Sequence, residues 1–183
     1  KTYSPLCVDN YVWGIGSERL YAFNMQEGGE AASVDYSRVD GWSPSYYNSK
    51  YYVCVAGVFR ALSASTVDNS LQISEQWSLS LNQPSFSAMP VIDDNKACVI
   101  LNKNLFVIDL STHSLLWSKY GYYGVPAMAH GKIFAIADSK VDVFNATSGA
   151  LIGTCDPAVP LMASQPVVTD DALIVSSPYE YSG

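Results

Sequence analysis

Apolar and polar positions in this chain alternate in short blocks. Mostly apolar, β-favouring runs recur as VWGIG from Val12, YYVCVAG from Tyr51, ACVIL from Ala97, IFAIA from Ile133 and LIVSS from Leu173. A second set, LYAF, FRAL, LFVI and VDVF, ends just before Asn24, Ser63, Asp109 and Asn145. Short runs of this kind, bounded by Asp, Asn, Ser and Gly, predict buried or half-buried strands joined by tight turns.

The runs keep a common frame. Pro5, Pro44, Pro90, Pro126 and Pro166 each open a similar segment, at separations of 39, 46, 36 and 40 residues. Nineteen residues after each of the first four stands a short polar residue, Asn24, Ser63, Asp109 or Asn145, of a type suited to opening a turn. A strand begins seven residues after every proline, and the turn before it carries Asp9-Asn10, Asn48-Ser49, Asp94-Asn95, His130-Gly131 or Asp170-Asp171. A last strand follows the polar landmark, as EQWSLSL around Trp77, LLWSKY around Trp117 and ALIGTC around Gly153. The units run over about 4–42, 43–87, 88–123 and 124–163, with a partial unit at 164–183, all in one repeat domain spanning 1–183. The second unit is long because Ser63 to Trp77 spans 14 residues where Asp109 to Trp117 spans 8, which places the extra length in a loop and the edge strand.

Four-stranded repeats of about 40 residues predict an all-β protein of antiparallel propeller blades, here about four and a half. In the fifth unit the next landmark falls at 185, beyond Gly183, so the expectation is a piece of a larger propeller, its last blade completed by further sequence or by another chain.

The segments VPAMAHGKIFAIADSKVDVFNATSGALIG, from Val125, and MPVIDDNKACVILNKNLFVIDLSTHSLLW, from Met89, resemble the PQQ-like repeat. The resemblance covers Ser4 to the end and is weakest in the first unit, which lacks the final Trp. It implies one of two kinds of protein: a quinoprotein dehydrogenase holding pyrroloquinoline quinone over calcium, or a non-catalytic scaffold such as the outer-membrane assembly lipoproteins. The dehydrogenases place an adjacent Cys-Cys pair against the quinone, and this sequence has none. The resemblance therefore favours a scaffold without a cofactor, in a periplasmic, cell-surface or secreted setting, with the dehydrogenase fragment as the alternative.

Composition narrows the partners. A formal net charge of −7 with only 10 Lys and Arg speaks against nucleic acid. No apolar run approaches the roughly 18 residues of a membrane-spanning helix. Asp93-Asp94-Asn95 and Asp170-Asp171 have calcium-like oxygen donors but occupy hairpin turns of the frame, and His113 and His130 fall in turns without a paired Cys or a Ser-Asp arrangement. Asn145-Ala146-Thr147 is a glycosylation sequon that coincides with a turn of the repeat. Cys7, Cys54, Cys98 and Cys155 form no CxxC pair and read as free, mostly buried thiols.

The remaining signal is aromatic. Tyr46, Tyr47, Tyr51 and Tyr52 cluster in the second unit, and Tyr120, Tyr122 and Tyr123 precede Pro126. Trp42, Phe86, Tyr122 and Tyr123 lie two to four residues before a repeat proline, so they share one type of connection and one expected face. Packing between blades accounts for such residues; exposed, they are anchors for a protein partner or stacking platforms for a carbohydrate.

Overall fold

The computed structural model describes residues 5–16, 18–36, 43–84, 87–157, 161 and 165–176. All eighteen elements among them are strands. They build four up-and-down sheets: β1 (Leu6–Val8) to β4 (Glu30–Asp35) through β2 (Tyr11–Ile15) and β3 (Arg19–Asn24), and β5 (Ser45–Tyr47) to β8 (Ser70–Ser80) through β6 (Lys50–Val55) and β7 (Val58–Val67). The third comprises β9 (Val91–Asp93), β10 (Lys96–Leu101), β11 (Asn104–Asp109) and β12 (Ser114–Tyr120); the fourth comprises β13 (Tyr123–Ala129), β14 (Lys132–Ala137), β15 (Lys140–Asn145) and β16 (Leu151–Cys155). A two-stranded pair, β17 (Val167–Val168) and β18 (Leu173–Ile174), follows Pro166, where the frame expects the fifth unit to open. Two compact units, Lys1–Pro90 and Val91–Gly183, each hold two of the four-stranded sheets.

Backbone chemistry explains the first turn of each sheet. Asp9, Asn48, Ser49, Asp94, Asn95, His130 and Gly131 all have positive φ, between 44° and 70°. Two-residue hairpins need that left-handed geometry, and Asn, Asp and Gly adopt it at least strain.

The polar landmark opens a turn in three sheets. Asn24 Oδ1 accepts from the N–H groups of Gln26 and Glu27 at 2.8 and 3.1 Å, Asp109 Oδ1 from Ser111 and Thr112 at 2.7 and 3.0 Å, and Asn145 Oδ1 from Thr147 and Ser148 at 3.0 and 2.9 Å. Ser63 does not do this. It lies inside β7, opposite Ser74, with the two hydroxyls 3.0 Å apart. Strands β7 and β8 run on for 10 and 11 residues and turn only at Asp68-Asn69. The extra length of the second unit is thus regular hairpin on both strands rather than a loop.

A further repeat appears only in the registers. Two residues before every landmark the third and fourth strands slip by one, between Ala22 and Phe23, Ala61 and Leu62, Val107 and Ile108, and Val143 and Phe144. The unpaired residues are Ala31, Gln76, Leu116 and Ile152. A bulge at one fixed place increases the local twist of each sheet.

Each unit has its own core. In the first, Trp13, Leu20, Ala22, Tyr51, Val53, Val55, Leu62 and Leu71 pack together; in the second, Cys98, Ile100, Leu105, Val107, Tyr122, Ile133, Ala135, Phe144 and Ala146 do. Most of these side chains come from middle strands, where β6 and β10 are buried along nearly their whole length. Each large one contributes about 1.5–3 kcal/mol by leaving water.

Candidate functional site

Repeated backbone ties give the blades two chemically different ends. At one end, the residue after the landmark donates to the first turn: Met25 N to Asn10 O, Leu110 N to Asn95 O, and Ala146 N to Gly131 O, each at 2.9 Å. At the other, the chain leaving the fourth strand donates to the turn between the second and third strands: Tyr36 N to Glu18 O at 2.7 Å, and Leu81 N to Gly57 O and Gly121 N to Lys103 O at 2.8 Å. The connections that carry the expected aromatic anchors start from this second end.

Of those four aromatics, Trp42 and Phe86 lie outside the described residues. Tyr122 and Tyr123, although adjacent, have opposite environments. Tyr122 is only 7% exposed; its ring meets Phe144 edge-on with centroids 5.5 Å apart, and its hydroxyl donates to Asp142 Oδ2 at 3.0 Å. Burial, and then the Asp142 carboxylate, raise its pKa well above the usual phenol range. Its side chain therefore packs inside the unit. Tyr123 is half-buried, with Lys103 Nζ 5.1 Å from its ring centroid.

The surface at this end of the third blade includes Tyr120, Tyr123 and Lys103. Tyr120 is 70% exposed and pairs in register with Asn104 beside Lys103. Lys103 is anchored through its backbone, its carbonyl accepting from both Gly121 N and Tyr122 N at 2.8 and 3.0 Å. A hydrogen bond to Tyr123 is the main cause that raises the Lys103 pKa above the ordinary lysine value. A cation over the Tyr123 ring, with the exposed Tyr120 on the neighbouring strand, can contact an aromatic, a carboxylate or a backbone carbonyl. Sequence reasoning noted Tyr120 but missed Lys103; Asn102-Lys103 sits where the second and fourth blades use Ala56-Gly57 and Asp138-Ser139.

The tyrosines of the second unit belong mainly to the core. Tyr51 and Tyr52 are buried, and Tyr51 packs 3.9 Å from Trp13 and 4.9 Å from the exposed Tyr46, centroid to centroid. In the same compact unit a cleft of about 250 Å³ opens between the turn at Asn24–Glu30 and the tip of the long hairpin at Asn69–Leu71.

The candidate metal and catalytic residues occupy turns. Asp94 and Asn95 form the two-residue turn between Asp93 and Lys96, and Lys96 Nζ lies 3.4 Å from Asp94 Oδ2. His130 Nε2 stands 3.3 Å from Asp170 Oδ1 on the surface. Among the described residues no three His, Cys, Asp or Glu side chains gather as a metal site, and no helix is long and apolar enough to cross a membrane. All four cysteines are free; Cys54 and Cys98 are buried, while Cys7 and Cys155 are exposed. Asn145 is exposed, and its side-chain oxygen is engaged in its own turn.

These sheets define the chain as a β-propeller, and solved structures share that fold. BamB from Moraxella catarrhalis superposes with a TM-score of 0.69 at 16% identity, over 96% of this chain and 55% of that one. A chain of the mitotic checkpoint complex superposes with a TM-score of 0.69 at 10% identity, over 92% of this chain and 54% of that one. The chain thus spans about 55% of the length of these propellers. No family model and no curated protein matches it.

Proposed function

We propose that this chain is a non-catalytic propeller module of the PQQ-like class that binds a protein partner through the Tyr120, Tyr123 and Lys103 surface. The exposure of Tyr120 beside a backbone-anchored cation is the observation that carries the reading. Tyrosine is a usual energetic centre of protein interfaces, because its large rigid ring loses little conformational entropy when covered, and the neighbouring Lys103 adds a charge that selects the partner. The structural neighbours agree with a binding role, one of them being a component of an assembly. The quinoprotein alternative lacks its expected sequence feature: no two cysteines are adjacent.

The test is a photo-reactive phenylalanine analogue at position 120, irradiated in the cells that make the protein. The expected result is one discrete protein adduct that Lys103→Glu abolishes while the fold is retained. No adduct, together with a glycan-array signal lost in Tyr120→Ala, would replace this reading with a carbohydrate-binding propeller.

A further inference from the structure

The long hairpin of the second blade leaves an unusual edge. Strand β8, the outer strand of its sheet, has 11 residues, against 6, 7 and 5 in β4, β12 and β16. An edge presents unpaired backbone N–H and C=O groups, and proteins ordinarily blunt a long one with Lys, Pro or shortening. Between Ser70 and Ser80 there is no Lys, Arg, Pro or Gly, and the single charge, Glu75, is paired with Arg60 at 3.0 Å. The bulge at Gln76 interrupts the edge only beyond its first half.

The register identifies the available groups. Asp68 and Asn69, at φ 49° and 61°, make a two-residue turn, so Val67 and Ser70 exchange hydrogen bonds with each other. Alternation then turns the backbone groups of Ser70, Gln72 and Ser74 toward β7, and those of Leu71 and Ile73 toward the side that no described strand pairs. The side chains of Leu71 and Ile73 pack on the core of the unit, which holds the strand straight before anything binds.

The cleft adjoins this same stretch. Asn69, Ser70 and Leu71 form one side, Glu27 and Glu30 stand on the other, and none of its lining residues is Lys or Arg.

We propose that the β8 edge from Ser70 to Ser74 receives an extended segment of a protein partner by strand addition, with a lysine or arginine of that segment directed at Glu27 and Glu30. Backbone pairing supplies affinity and the two carboxylates supply selection for a cationic residue. The surface belongs to another blade than Tyr120 and stands whether or not that patch binds anything.

A synthetic peptide alternating valine and threonine around one central lysine, and its glutamate counterpart, provide the probe. Fluorescence polarisation should show the lysine peptide binding, the glutamate peptide binding at least about tenfold more weakly, and the order reversing in the double variant Glu27→Lys, Glu30→Lys. Amide exchange followed by NMR gives a readout that needs no variant: Leu71 and Ile73 exchange quickly in the free protein and become protected with the peptide, while Gln72 is protected throughout. The proposal fails if neither peptide binds, if both bind equally, or if the amides of Leu71 and Ile73 are protected before peptide is added.

Discussion

The indole of Trp117 lies directly over Gly149: a β-carbon built on Gly149 would stand 2.8 Å from Trp117 Cδ2, and the indole N–H donates to the carbonyl of Ala146 at 3.0 Å. The third and fourth blades are therefore tied by one tryptophan and one missing side chain. Gly149 also has φ +69°, so an alanine there meets both a strained backbone and a ring held by its own hydrogen bond. Gly131, at φ +70° with nothing within 4 Å, isolates the backbone term. Gly149→Ala is expected to lower stability by at least about 1 kcal/mol more than Gly131→Ala. Urea denaturation of the two variants measures the difference, and equal midpoints would contradict the packing argument.

The repeat landmark makes a sharper comparison, because one polar position serves two purposes. Asn145→Ala leaves the N–H groups of Thr147 and Ser148 without their acceptor and should destabilise by about 1 kcal/mol. Ser63→Ala, in the exposed face of the long hairpin, should change stability by less than about 0.5 kcal/mol. Thermal melts of both variants distinguish them.

Tyr122 and Tyr123 should separate in the same way. Tyr122→Phe removes a hydrogen bond to the carboxylate of Asp142, which Thr154 Oγ1 also bonds at 2.7 Å, and should cost about 1.5 kcal/mol. Tyr123→Phe keeps the ring under Lys103 and loses only a solvent-exposed hydrogen bond to its ammonium, so it should cost less than about 0.5 kcal/mol in the same urea titration.

Alkaline pH should weaken the first unit. Burial pushes the Cys54 thiol from 9.0 up to about 12, and burial moves the Tyr36 phenol from 10.0 to about 12 against the partly opposing charge of Arg60; Tyr51 shifts likewise. The folded chain holds these protons after the unfolded chain has released them. The stabilisation is therefore fully present below pH 9 and is lost progressively as pH rises toward about 12. Urea midpoints measured across that window should fall, and fall less steeply in Tyr36→Phe. A flat profile would show that these groups titrate alike in both states.

Much of the fold was legible because the turns are local. Asp94-Asn95 and His130-Gly131 announce left-handed backbone within a few residues, and the prolines space the strands by connection length alone. Ser63 shows where such reading stops. It has the same short polar chemistry as Asn24, yet the strand continues through it because Ala64 and Ile73 pair across the hairpin and a better turn waits at Asp68-Asn69. The candidate site was half legible for a related reason: proximity to Pro126 drew attention to Tyr120, Tyr122 and Tyr123, but exposure depends on what faces each ring.

The sequence by itself determined the repeat, the order of strands and the first turn of each blade, since those follow from the conformational preferences of neighbouring residues. Tertiary structure decided the rest. It set the bulge two residues before each landmark, turned Tyr122 inward to an Asp142 twenty residues away, left Tyr120 outside beside Lys103, and laid the outer strand β8 beside Glu27 and Glu30. Each of these depends on groups distant in the chain that compete for the same buried space and hydrogen bonds, a competition resolved only when the sheets pack.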